Sequence, residues 1–175
     1  MIDSHDLERI FELCFESEFQ TILVGGASEP LYRPSENEKV SPHRVIYRED
    51  FFASALHEVA HWCLAGRRRR RLEDYGYWYR PEGRSAQEQE DFEKVEVDPQ
   101  AIEWIFSDAC DFAFNLSADN LRGATGSSSK FEEAVASRKR NFLAGALPAR
   151  ADAFCSGLSR TRSALPLVGP ACSRS

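Results

Sequence analysis

Apolar positions recur along this chain with two periods. Leu7, Ile10, Phe11, Cys14 and Phe15 fall at helical spacing with Asp6, Glu8, Arg9, Glu12 and Glu16 between them. That predicts an amphipathic helix over 4–17. Phe19 to Val24 reads as a strand closed by Gly25-Gly26, and Arg44 to Tyr47 as a second, beyond a polar loop with Pro30, Pro34 and Pro42. Phe52, Leu56, Val59 and Cys63 recur at helical intervals and build one apolar stripe; Asp50 is placed to cap that helix and Gly66 to follow its end. Ser85 to Val97 is helix-like. Asp98-Pro99 then predicts a break, with Asp98 capping a new helix that buries Ile102, Ile105, Phe106 and Ala109. Ser129 to Glu132 has the form of a capping box opening a last helix through Leu143, which Gly145 ends. Helix therefore dominates over two to four short strands, an α+β pattern. A single domain is expected over 1–155, with residues 156–175, rich in Ser, Arg, Pro and Gly, predicted to be poorly ordered.

The chain has 175 residues, 42% of them hydrophobic, which suits one globular domain. No apolar run is long enough to span a bilayer, and the N-terminal helix is not a signal sequence. Cysteines at 14, 63, 110, 155 and 172 form neither a disulfide framework nor a Cys-x-x-Cys zinc site, so a reducing, cytoplasmic setting is the expectation. Net charge is −6 overall, but residues 1–155 hold 19 basic and 28 acidic side chains, a net −9. Against that acidity stands Arg67–Arg71, just past Gly66 at the end of the second helix-period segment. The run either complements the helix dipole as a solvated turn or docks an acidic protein or RNA phosphate; direct nucleic-acid binding is otherwise not expected.

The chemistry is concentrated in His57-Glu58-Val59-Ala60-His61, which uses two of only four histidines. On a helix, positions four apart lie one above the other. Both imidazoles then fall opposite the Phe52–Cys63 stripe and could grip one metal ion, with room for a third ligand and an open position. His5 and His43 read as surface residues. The third ligand is sought among Glu88, Glu90, Asp91, Glu93, Glu96, Asp98 and Glu103, most of which read as a solvated helix face. Glu96, bracketed by Val95 and Val97, is favoured; Glu93, one turn earlier, is its competitor or a hydrogen-bonding neighbour. Two histidines and a carboxylate serve either zinc, with Glu58 as general base of a small peptidase or ribonuclease, or ferrous iron as a facial triad open to dioxygen.

A wider set of segments is more specific. His57 to Cys63, then Asp74 to Arg84, then Phe92 to Ala101, then Ser117-Ala118-Asp119-Asn120-Leu121 resembles the elongation factor P hydroxylase family over residues 7 to 145. The resemblance implies a compact α+β unit similar to a metal-dependent ribonuclease fold, a minimal zincin-like arrangement of the metal helix. It implies an iron-type, Fe(II)-dependent monooxygenase that hydroxylates the β-lysyl-modified lysine of elongation factor P, with His57, His61 and Glu96 as metal triad. Zn(II) belongs to the hydrolase alternative. Asp74, Tyr75, Tyr77, Trp78 and Tyr79 then either wall a channel for a long, cationic side chain or pack as one face of a hairpin. Asp119 and Asn120 are either a turn or partners of a metal-bound histidine.

Overall fold

In the computed structural model, residues 2–76, 85–117 and 129–164 are described. Helix α1 (Ser4–Phe19) starts where Asp3 accepts from the Asp6 N–H while Asp6 accepts from the Asp3 N–H, a reciprocal cap. It buries Leu7, Ile10, Phe11 and Phe15, as the helical spacing predicts. The chain continues into β1 (Thr21–Ala27), β2 (Leu31–Arg33) and β3 (His43–Arg48), then α2 (Phe52–Leu64), 3-10 turns at Arg69–Arg71 and Glu73–Gly76, and the helices α3 (Ala86–Cys110), α4 (Ser129–Ala144) and α5 (Ala149–Ala164).

The sheet has the order β1-β3-β2, with β3 parallel to β1 and antiparallel to β2. Leu23, Val45 and Tyr32 lie side by side in register and are all buried. Past Val24 the register of β1 slips. Gly25 is needed there, because a Cβ would come within 2.7 Å of the Tyr47 hydroxyl oxygen and of the Glu49 carbonyl. The tyrosine is held by donating to Glu8 at 2.9 Å, and the Gly25 N–H donates to the same carboxylate at 3.0 Å.

Three expectations are corrected. Asp50 does not cap α2: the N-cap is Phe51, with no side-chain bond, because a tight turn from β3 puts Glu49 at φ 49° and bonds the Phe51 N–H to the Arg48 carbonyl. The break at Asp98-Pro99 does not occur. Helix α3 runs through Pro99, although proline in a helix interior costs about 3 kcal/mol. Burial on both sides of it, from Phe92 and Glu96 to Ala101, Ile102 and Phe106, outweighs that local preference. Finally, α5 runs to Ala164, well into the stretch expected to be poorly ordered. Phe154, Gly157 and Leu158 are buried, and α1 lies so close that a Cβ at position 157 would come within 2.8 Å of Ile10 and 3.3 Å of Cys14. Residues 165–175 lie outside the described residues.

Helix α2 is the hub. Ala55, Leu56, Val59, Ala60, Trp62 and Cys63 are all buried, each large aliphatic side chain contributing about 1.5–3 kcal/mol. Its C-terminal carbonyls are capped not by Gly66 but by two arginines from elsewhere. Arg150 of α5 donates to Cys63 O at 2.9 Å and Ala65 O at 2.6 Å, and Arg70 donates to Ala65 O at 2.8 Å. Both guanidinium groups also lie over the Trp62 and Phe19 rings. Arg70 is thus drawn out of the basic run, leaving Arg67, Arg68, Arg69 and Arg71 exposed.

Replacing Arg150 with Met keeps much of the aliphatic stem and removes the charge. It should cost about 2 kcal/mol, since hydrogen bonds from a charged donor are each worth about 1.5–3 kcal/mol. Urea unfolding measures this. A loss below about 0.5 kcal/mol, the range of an ordinary surface substitution, would show that α5 does not anchor α2.

Candidate metal centre

The face of α2 opposite its buried stripe meets α3. His57 and His61, one turn apart, present their Nε2 atoms 3.1 Å from each other. Across from them Glu96, 3% exposed, places Oε1 at 3.2 Å from His61 Nε2 and Oε2 at 3.6 Å from His57 Nε2. One ligand atom from each of these three residues lies within 4.8 Å of the others, and among the described residues no other such group of three occurs. Ligands bound to one ion at about 2.0–2.2 Å stand about 3.0–3.5 Å apart, which is close to the observed triangle.

The donor chemistry fits as well. His57 Nδ1 is 2.8 Å from Glu103 Oε2. A carboxylate accepts there, so Nδ1 carries a proton, and once Nε2 gives up its own, the lone pair there points toward His61 and Glu96. Two Nε2 atoms in such proximity have nothing to gain by both donating; a shared cation resolves the conflict. Burial opposes charge on His57, but the Glu103 hydrogen bond and the charges of Glu103, Glu96 and Glu58 outweigh it and raise its pKa. Burial likewise opposes charge on Glu96, but His61, then His57 and Gln100, outweigh it and lower its pKa. The site is a buried concentration of carboxylate charge around two imidazoles.

Glu103 is the residue that sequence reasoning misplaced. It stands among the carboxylates most of which read as a solvated helix face and has no role assigned to it from sequence, yet it is 6% exposed and bonded to His57. The available signal was spacing: Glu96, Gln100 and Glu103 sit at helical intervals on one face. Glu93 accepts from Gln89 on its own helix at 3.2 Å and is not part of the three-residue group. Glu58 feels His57, His61, Glu96 and Asp74; burial is the largest influence and raises its pKa. Asp74 lies in the second 3-10 turn at φ 50°, where its carboxylate accepts from the Tyr32 N–H at 3.3 Å. Tyr75 belongs to the same turn. Tyr77, Trp78, Tyr79, Asp119 and Asn120 lie outside the described residues. His43 is engaged by the Ser35 N–H at 2.8 Å, on the sheet rather than at this centre.

Comparison with known proteins agrees with the resemblance. The sequence pattern of a family described as elongation factor P hydroxylase matches residues 10–167. The chain is also 48% identical over 147 residues to the elongation factor P lysine hydroxylase of Haemophilus influenzae, covering 84% of this chain and 82% of that relative. The family match extends over α5, beyond the segments quoted from sequence.

The geometry predicts an order among three glutamine variants. Glu96→Gln should abolish metal retention after dialysis. Glu103→Gln should weaken it about 10–100-fold, the usual cost of losing the partner of a metal-bound histidine. Glu93→Gln should leave it near wild type. Metal retained by Glu96→Gln but lost from Glu93→Gln would rewrite the triad as His57, His61 and Glu93.

Proton linkage gives a second check. Because the His57 pKa is raised, its imidazole still holds its second proton above pH 6.5, the ordinary midpoint, and a metal must displace that proton from Nε2. Affinity should therefore keep rising with pH above that midpoint, with about one proton released per ion. Calorimetry in buffers of different ionisation enthalpy reads the number directly; zero release would show that the metal-free His57 imidazole is already neutral, against the raised pKa.

Proposed function

The chain belongs to the elongation factor P hydroxylase family, and from that premise we propose that it hydroxylates a lysine side chain of elongation factor P at the His57, His61 and Glu96 centre. The observation that carries this reading is the convergence of two imidazoles and one carboxylate from two packed helices, with no fourth donor in the group among the described residues. A structural zinc site is normally closed by four protein ligands, whereas three leave room for reactants.

The ion we assign is Fe(II). When bound, a redox-active metal supplies dioxygen activation, which zinc, having no accessible second oxidation state, does not. Turning C–H into C–OH takes two electrons from carbon. Dioxygen accepts four, so two more come from an external reductant.

The protein's own groups have separate tasks in this scheme. His57, His61 and Glu96 hold the ion. Glu103 fixes the His57 tautomer through Nδ1. Glu58, beside the ligands and coupled to Asp74, faces the incoming substrate. Two carboxylates there favour a cationic side chain, and the β-lysyl-modified lysine, with two ammonium groups, is the form we assign. Tyr75, Tyr77 and Trp78 are proposed to line its path and Asp119 and Asn120 to support the histidines. The setting we assign is the cytoplasm, where elongation factor P would be met; no described helix is long and apolar enough to cross a membrane.

The deciding experiment loads metal-free protein anaerobically with Fe(II) or Zn(II), adds β-lysylated elongation factor P and a reductant, then admits air. Intact-mass measurement should show a gain of one oxygen atom with Fe(II) alone. Full activity in the zinc sample would overturn the oxygenase assignment and favour a hydrolytic role for Glu58.

A further inference from the structure

Between Glu96 and Glu103 on α3 lies Gln100, a polar side chain only 1% exposed that is not among the three ligand residues. The Ser117 N–H donates to its Oε1 at 3.1 Å, and its Nε2 donates to Ser117 O at 2.7 Å. It pairs with the Ser117 backbone much as a neighbouring strand would. This settles which way the amide faces. A backbone N–H can only donate, so the atom it meets is the carbonyl oxygen. The Nε2 group is therefore turned toward Ser117 O and, at 3.4 Å, toward Glu96 Oε2.

The two oxygens of Glu96 consequently have different surroundings. Oε2 is approached by the Gln100 donor and stands 3.6 Å from His57 Nε2, while Oε1 is closer to an imidazole, 3.2 Å from His61 Nε2, and has no such donor on it among the described residues. An unrestrained carboxylate could turn either oxygen, or both, toward an ion. A donor on one oxygen lowers its electron density and leaves the other as the better ligand. At 3.4 Å this contact is longer than the usual N–H···O range of about 2.7–3.2 Å. Its effect comes from being aimed in advance, by two bonds to a backbone, at a charged acceptor.

We propose that Gln100 is a positioning residue that holds Glu96 as a one-oxygen ligand and ties that pose to the backbone at Ser117. The proposal rests on the reading of His57, His61 and Glu96 as the ligands. It adds a link: whatever displaces Ser117 displaces the donor on Glu96, so the segment leaving α3 is coupled to the metal. Gln100 touches no reacting atom in this scheme.

Two variants of the full chain test the link from its two ends. Gln100→Met keeps length and removes the donor. Ser117→Pro removes the backbone N–H and leaves Gln100 in place, free to swing. For each, and for wild type and His57→Ala, the dissociation constant for Co(II) is measured by chelator competition. The visible spectrum of the Co(II) form and the melting temperature of the metal-free protein are recorded alongside. Both test variants should bind about 10–100-fold more weakly than wild type, with weaker visible absorption as the second Glu96 oxygen joins and coordination number rises.

A residue that merely fastens Ser117 would lower the melting temperature and leave the affinity and the spectrum of the folded protein at wild-type values. That result overturns the proposal. If Gln100→Met does not fold, Ser117→Pro decides alone. Equal, weak Co(II) binding by wild type and His57→Ala would instead remove the ligand assignment, and the proposal with it.

Discussion

Trp62 sets the rotation of α2 about its own axis. Its buried indole lies against Phe11, Phe15 and Phe19 of α1 and under the guanidinium groups of Arg70 and Arg150. Aromatic pairs add about 0.5–1.5 kcal/mol beyond area burial, and desolvated cation–π contacts about 2 kcal/mol. Among the described residues the indole N–H has no hydrogen-bond partner; shape and charge rather than a polar tether from them hold the ring. His61 is the residue before Trp62 and His57 lies one turn back. A twist of α2 by one residue, about 100°, would carry both imidazoles off α3.

Helix α3 answers with one face of unusual character. Glu96, Gln100 and Glu103 are buried where a globular helix ordinarily shows aliphatic side chains. Such a row would be costly without compensation. It is compensated internally, carboxylate against imidazole and amide against backbone. The outer side of α3 is tied to α4 by half-buried pairs: Arg138 to both oxygens of Asp98 at 2.7 and 2.9 Å, and Lys139 to Asp108 at 2.6 Å. Packing on both sides keeps α3 continuous across Pro99, so that Glu96 and Glu103 share one unbroken helix.

The legibility of the chain follows from where each signal resides. The α1 stripe and the histidine face of α2 were readable because helical spacing alone places them. Glu96 was readable from Val95 and Val97, although Val95 is 48% exposed and only Val97 packs on the core; the flanking argument pointed, on half its stated grounds, to the carboxylate that the structure groups with the two histidines. Glu103 and Gln100 were not read because acid-rich helices normally face water, and only a partner helix distant in sequence reverses that. Asp98-Pro99 was misread since local propensity carries no information about what packs on either side. The arginine caps were invisible for the same reason: Ala65 O is reached by Arg150, 85 residues away.

That long reach has a bearing on how the protein is made. Chains are made N-terminus first, so α2 is complete before Arg150, which caps its last carbonyls, has been added. Until α5 docks, the helix that carries His57 and His61 lacks one of its two arginine caps, and its final turn is the part most prone to fray. Docking of α5 is in this sense the step that closes the histidine helix.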